Sequence, residues 1–185
     1  MFFKQLSLVA IATTFALSTA PALAGTWTVD KSKSSLGFSV PQAGNTLSGI
    51  FATWDADIDF DPADPENAVI NARINPASAS TGNGQFDGVL LTPDWFDTSS
   101  FPEAEFASDT VTLLEGNRYR ATGTLTIRGT HQPVTLDFTL DIMGDQAHAK
   151  GSASIARTAY SLGTSVNQQT VGDAVTVTLD LIATR

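Results

Sequence analysis

Two histidines, His131 and His148, are the only side chains of this sequence that ordinarily exchange protons near neutral pH. They stand 17 residues apart, and there is no cysteine. That set holds neither a thiolate nucleophile nor the ligands of the common zinc sites. Serine is plentiful, yet none sits in the Gly-x-Ser-x-Gly spacing that exposes a nucleophile on a sharp strand-to-helix turn. No Gly-x-x-x-x-Gly-Lys loop is present to cradle a phosphate. Carboxylates do cluster: Asp55, Asp57, Asp59 and Asp61 fall two apart, followed by Asp64 and Glu66, and oxygen ligands suit calcium. The calcium loop needs glycine sixth and glutamate twelfth, however, and counting from Asp57 those places hold Pro62 and Ala68. Alternation with Ala56, Ile58 and Phe60 explains the aspartates as the wet face of a strand. The residues therefore point away from catalysis and from a resident metal or cofactor, and toward a binding protein.

The elements around these residues read as β throughout. From Tyr119 to Ile142 the period is two. Tyr119, Ala121, Gly123, Leu125 and Ile127 alternate with polar residues, and Val134, Leu136, Phe138, Leu140 and Ile142 repeat the pattern after a break at Gly129 to Pro133. This is a long hairpin, with His131 in its loop. Strands this long tend to curl and close. Elsewhere, Leu36, Phe38 and Val40 form one inward set, Ile70, Ala72 and Ile74 a second, and Val175, Val177, Leu179 and Leu181 a third. Between Leu47 and Phe60 the inward parity switches near Ala52 or Thr53, which suggests a β-bulge. Residues 85–97 are the one stretch with helical spacing, through Phe86, Val89 and Leu90, and predict one or two short helical turns. Thr158 to Gly172 is a polar loop. About eight strands in one all-β domain over residues 25–185 follow, as a closed antiparallel eight-stranded barrel; a sandwich is the alternative.

Of the 185 residues, the first 24 run from Lys4 through an apolar stretch, Leu6 to Leu17, to Ala22-Leu-Ala24. That is the order of a secretory signal peptide, with cleavage expected after Ala24 and a periplasmic location for the product. Removing this segment leaves 9 basic and 19 acidic side chains, a net charge of −10. Such a chain repels nucleic acid and anionic headgroups. Without cysteine the core must suffice alone in an oxidising compartment.

What a barrel of eight strands can do depends on how its lumen is filled. Alternation aims Phe38, Trp54, Ile58, Phe60, Ala72, Phe106, Ala121, Gly123, Leu125, Leu136, Phe138, Ala147, Ala149, Gly151 and Ala153 inward, and the helical stretch adds Phe86, Leu90 and Trp95. Every inward position from Ala147 to Ala153 is alanine or glycine. Two readings follow: a core packed by the aromatic residues, or a hollow apolar tube that holds an apolar tail.

The motifs Trp27-Thr-Val-Asp30, Ser34-Ser-Leu-Gly-Phe38, Gly49-Ile-Phe51, Ile58-Asp-Phe-Asp61, Ser80-Thr-Gly82, Asp94-Trp-Phe-Asp97, Phe101-Pro102 and Phe106-Ala-Ser108, and above all Gly123-Thr-Leu-Thr-Ile-Arg-Gly-Thr130 with Pro133-Val134, resemble the YceI-like family in order and spacing. The resemblance covers nearly the whole chain after residue 24. It implies a lipocalin-like barrel that binds and carries an isoprenoid lipid or isoprenoid quinone, without a reaction, and that meets a membrane transiently. One departure stands out. Where many members resemble Arg-Asp-x-His-Leu, this chain has Phe86-Asp87-Gly88-Val89-Leu90, which removes two basic groups and favours an uncharged head over a pyrophosphate. The rival readings are a ligand-free stress-response or protein-interaction module, working through Thr158 to Gly172 or the acidic face at Asp55 to Asp61, and a redox accessory presenting quinone to a membrane carrier.

Overall fold

The computed structural model describes residues 25–185; the expected leader, with its cleavage site after Ala24, lies outside them. Eleven strands form one sheet: β1 (Gly25–Val29), β2 (Ser35–Gln42), β3 (Asn45–Phe51), β4 (Trp54–Phe60), β5 (Val69–Ile74), β6 (Ala79–Ser80), β7 (Ala104–Glu115), β8 (Arg118–Ile127), β9 (Thr130–Met143), β10 (Gln146–Ala156) and β11 (Ala174–Thr184). All pairings are antiparallel, and β1 meets β11 to close the ring.

Eleven segments make eight barrel positions because three positions are broken in two. Along β11, Thr184 and Ala183 pair with β1 while Asp180 to Thr176 pair with β2. In turn β4 pairs with β1 and β3 with β2, and β5 pairs with β4 and β6 with β3. The breaks lie side by side. A short 3-10 turn at Lys31–Lys33 separates β1 from β2, and another at Pro76–Ser78 separates β5 from β6. Between them the chain bends at Ala52 and Thr53, where Ala52 N donates to Ser78 O at 3.1 Å and Asn75 N donates to Thr53 O at 3.0 Å. The parity switch read from the sequence is therefore a corner between two strands with different neighbours, not a bulge within one. A bulge does occur in β7, between Ser108 and Thr110, and turns Val111 inward after Phe106.

The Tyr119–Ile142 hairpin is present with a tighter turn than the sequence suggests. Only Arg128 and Gly129 make it, both at positive φ (51° and 70°), as a two-residue hairpin turn requires. Thr130 to Pro133 belong to β9 and pair with Ile127 to Thr124. Pro133 is tolerated because the ladder to β10 stops at Leu136, so its missing N–H faces no partner strand.

The helix α1 (Gly84–Leu90) starts on Asn83, whose side chain accepts the Gln85 N–H at 3.0 Å. The expected second helical turn at Thr92 is a plain turn closed by Trp95 N on Thr92 O at 2.9 Å. Two turns of helix do not hold themselves in water. Asp87 anchors α1 to the sheet: its carboxylate accepts the Thr81 N–H (2.6 Å), the Thr81 hydroxyl (2.7 Å) and the Ser80 hydroxyl (3.0 Å). These bonds, the Thr81 backbone bond first, hold the Asp87 carboxyl below the ordinary carboxylate range.

Candidate functional site: an apolar lumen

One end of the barrel is shut. Trp27, Phe60, Tyr119 and Phe138 are buried across it, Phe60 edge-on to Tyr119 at 5.4 Å and Tyr119 stacked on Phe138 at 5.5 Å between centroids. Trp27 Nε1 donates to Phe60 O at 2.9 Å, so the indole is paired inside the floor. Val111 and Ala121 pack in the same cluster as these rings, both fully buried.

Above this floor the tube is hollow, with a cavity of about 450 Å³, within the range of small-molecule sites. Leu36, Phe51, Ile58, Ile70, Leu125, Leu136 and Leu179 line the cavity and remain only half-buried, because they face open space instead of one another. The packed-core alternative is thereby overturned. Nearly every lining side chain is apolar; the polar exceptions are Gln42, Thr81 and Arg157.

Most of the residues that alternation aimed inward stand on this wall: Phe38, Trp54, Ile58, Phe60, Ala72, Phe106, Leu125, Leu136, Phe138, Ala147, Ala149 and Ala153, with Phe86, Leu90 and Trp95 from the segment around α1. Three do not. Ala121 belongs to the packed floor. Gly123 and Gly151 point inward, but the first is covered by the ring of Phe106 and the second is crowded by the stem of Phe138. A Cβ at Gly123 would lie 2.9 Å from two ring carbons of Phe106 and collide with the Ala107 carbonyl, and one at Gly151 would lie 2.7 Å from Phe138 Cβ and from Asp137 O. A tryptophan at Gly123 would meet that ring and that carbonyl first, so the positions from which a large side chain reaches the lumen are Ala149 and Ala153. The alanines leave space directly, and Gly123 does so indirectly, by letting the Phe106 ring sit close over the sheet.

The segment at the open end, 157–173, contributes Arg157, Leu162, Val166 and Val171 to the wall, where the composition of Thr158 to Gly172 predicts only a polar loop. Arg157 is 1% exposed. Its guanidinium donates five hydrogen bonds, all to backbone carbonyls: Nε to Gly172 (3.0 Å), Nη1 to Leu162 and Gly163 (2.7 Å each), and Nη2 to Val166 (3.0 Å) and Val171 (2.9 Å). The indole of Trp95 lies 5.8 Å away under the cation, wedged against Gly163. Asp173 accepts the Thr158 N–H and hydroxyl, and these bonds, with Arg157 nearby, lower its carboxyl. The strap is stitched to the rest of the rim as well, by Gly172 N on Pro41 O (2.7 Å), Ala43 N on Thr170 O (2.9 Å) and Gly163 N on Asp94 O (2.6 Å). Apolar residues at Tyr160, Leu162, Val166 and Val171 were the sequence signal for this cover.

The residues with chemical potential lie outside the lumen. His131 Nδ1 is 2.8 Å from the Thr126 hydroxyl, and His148 Nε2 is 2.7 Å from Asp180; neither lines the cavity. Asp55 and Asp57, on the outer face of β4, pair with Lys31 (3.2 Å) and Arg73 (3.0 Å). Among the described residues no three His, Cys, Asp or Glu side chains gather as a metal would need.

Comparison with known proteins places this geometry among relatives. A family model described as a YceI-like domain matches residues 27–183. The chain is 33% identical over 132 residues to the UPF0312 protein plu2095 of Photorhabdus laumondii subsp. laumondii, which covers 70% of this chain and 67% of that protein. Among solved structures it is similar to Burkholderia cenocepacia BcnA, with 31% identity, a TM-score of 0.82, and coverage of 85% of this chain and all of the other. The fold is also that of a polyisoprenoid binding domain from Saccharophagus degradans implicated in plant cell wall breakdown, at 16% identity, a TM-score of 0.67, and coverage of 85% of this chain and 97% of that one.

Proposed function

The chain belongs to the YceI-like domain family, and from that premise we propose that its barrel holds an apolar isoprenoid lipid in the lumen for storage or carriage, without transforming it. The observation that carries this reading is the hollow itself. A cavity of about 450 Å³ walled by leucine, isoleucine, valine, alanine and phenylalanine has no use for water and accommodates a branched hydrocarbon chain. That the Saccharophagus degradans protein of the same fold is a polyisoprenoid binding domain supports the same ligand class.

The head group fits best if it is uncharged, as in an isoprenoid quinone. Among the described residues Arg157 is the one cation on the wall, and its five N–H groups are already given to carbonyls, so none is left for a phosphate. Phe86 and Val89 stand where basic residues would be needed, and Gln42 and Thr81 supply neutral polar groups at the open end. The energetics ask for an apolar source. At ~0.8 kcal/mol per buried CH₂ a forty-carbon tail leaving water would gain roughly 30 kcal/mol, beyond the ceiling of about 20 kcal/mol on real affinities. A tail drawn from a membrane is already dry, so loading and unloading become nearly balanced.

Export completes the reading: the order of Lys4, the apolar run and Ala22-Leu-Ala24 supports a periplasmic protein, which N-terminal sequencing of the native product checks. The lumen is tested by solvent extraction and mass spectrometry of purified wild-type protein beside Ala149→Trp and Ala153→Trp. An isoprenoid compound near one per barrel in the wild type, lost in both variants with unchanged circular dichroism, is the expected result. An empty wild-type barrel, or equal content in all three proteins, would sink the proposal and favour the ligand-free interaction module.

A further inference from the structure

The two ends of the barrel differ in charge as well as in closure. Besides the β8–β9 turn, where Arg128 donates to Ser161 O at 2.8 Å, and Glu103 just ahead of β7, three segments frame the open end: the β2–β3 tip at 41–48, residues 81–93 including α1, and the strap at 161–172. Between them they hold one charged side chain, Asp87, and its carboxylate is folded onto Thr81 and Ser80. Behind this rim Asp94 and Asp173 are likewise engaged, with Ser165 and Thr158. The loops at the shut end instead carry Asp61, Asp64, Glu66, Glu115, Arg118 and Asp145. So sparsely charged a collar, on residues 25–185 that carry 9 basic and 19 acidic side chains, is a local departure from the rest of the surface. Its exposed apolar groups, Val89 at 43% and Leu91 at 40%, have counterparts at the shut end in Leu113, Leu114 and Met143; what sets the collar apart is its low charge and the place of Val89 on the cavity wall.

We propose that this collar is a docking face for a lipid bilayer, so that the lumen opens onto the membrane from which its ligand comes. The inference rests on the lipid-carrier reading for its purpose, but its physical basis is separate. An acidic protein can touch a phospholipid surface only with its charges held away. The eleven-residue strands β10 and β11, at about 3.3 Å per residue and a tilt near 40°, set the charged loops about 28 Å from the rim, well past the Debye length of about 8 Å in physiological salt. The rim itself offers Leu91, Val89 and neutral side chains that lose little on leaving water. The attraction is then apolar and indifferent to salt.

The test is flotation of the whole mature protein with phosphatidylcholine vesicles, at low and high salt, with a second set containing phosphatidylglycerol. Wild-type protein should float with the neutral vesicles at both salts. The double variant Leu91→Glu with Gln168→Glu, which changes exposed rim positions outside the cavity wall, should lose about tenfold in partitioning. Met143→Glu, 71% exposed at the shut end, should float like the wild type. Binding that needs anionic lipid and vanishes in salt, or equal loss in Met143→Glu, would overturn the docking face. Loaded protein that stays in solution with every vesicle would overturn it too, and leave the rim to a protein acceptor. Lipid content of the same preparations, read by extraction, reports separately on the carrier: an empty barrel that still floats removes the cargo and keeps the docking face.

Discussion

Replacing Arg157 by methionine should release the strap while leaving the barrel standing. The side chain is buried, and its five donors each meet a carbonyl at 2.7 to 3.0 Å. A hydrogen bond from a charged donor is worth about 1.5–3 kcal/mol net, but burying the cation takes back several kcal/mol. Methionine fills much of the volume and removes that penalty, yet leaves the carbonyls of Leu162, Gly163, Val166, Val171 and Gly172 without their donor. The balance expected is a loss of about 3–5 kcal/mol, limited above by the strap opening to let water reach those carbonyls. For a domain this size each kcal/mol moves the melting temperature roughly 2–4 °C, so a fall of about 6–20 °C is anticipated. Arg157→Lys, with three donors on a flexible stem, should fall between. Calorimetry gives the size of the effect, and hydrogen exchange gives its place. Amides of Leu162, Gly163 and Val171 should exchange faster in the variant while those of the β8–β9 ladder do not change. A methionine variant melting within about 2 °C of wild type, or losing protection evenly across the sheet, would refute the assignment of the strap to this one side chain.

Two further outcomes follow from buried and lowered groups. The Tyr160 hydroxyl is buried without a hydrogen-bond partner, and burial pushes its phenol up to about 12, so Tyr160→Phe should be neutral or stabilising by about 1 kcal/mol in a denaturant titration. It should also remove a component of alkaline unfolding: a raised native value means stability that is intact below pH 10 and lost between about pH 10 and 12. A loss above about 1 kcal/mol on making the phenylalanine would contradict this. Asp55, Asp87, Asp137, Asp173 and Asp180 are all held below the ordinary carboxylate range, chiefly by bonds to Lys31, Thr81, Arg120, Thr158 and His148 respectively. Lowered native values contribute stability that is complete above the unfolded value near 4 and disappears as pH falls below it. Stability should thus be flat around these groups from about pH 5 to neutrality and fall in acid, and Asp87→Asn with Asp173→Asn should shallow that fall; an acid limb unchanged in the double variant would argue against it.

Much of the architecture was legible because alternation is a local property. The inward sets on β8, β9, β10 and β11 were readable residue by residue, since each strand has one dry face. What alternation does not encode is the identity of the neighbour. The parity switch at Ala52 and Thr53 was visible, but whether one strand bulged or two strands met at a corner depends on Asn75 and Ser78 across the sheet. Thr130 to Pro133 looked like loop because proline usually ends a ladder, and the reason it does not is the absence of β10 beside it. The same limit applied to the lumen. Gly123 and Gly151 face inward, yet the groups that crowd them, the ring of Phe106 and the Cβ of Phe138, come from adjacent strands. Arg157 was invisible as a site residue because a lone arginine at the start of a polar run ordinarily means solvent. Its burial depends on carbonyls five to fifteen residues ahead, arranged by turns that periodicity does not describe.

The glycines facing Phe38 and Phe106 act as a calibre for the tube. A methyl at Gly49 or Gly123 would press on the ring of Phe38 or Phe106, so the girth of cargo the barrel admits is regulated at the sheet, one layer behind the surface the cargo touches. Tailoring the bore to thinner or bulkier chains would start at Gly49 and Gly123, positions that never meet the cargo themselves.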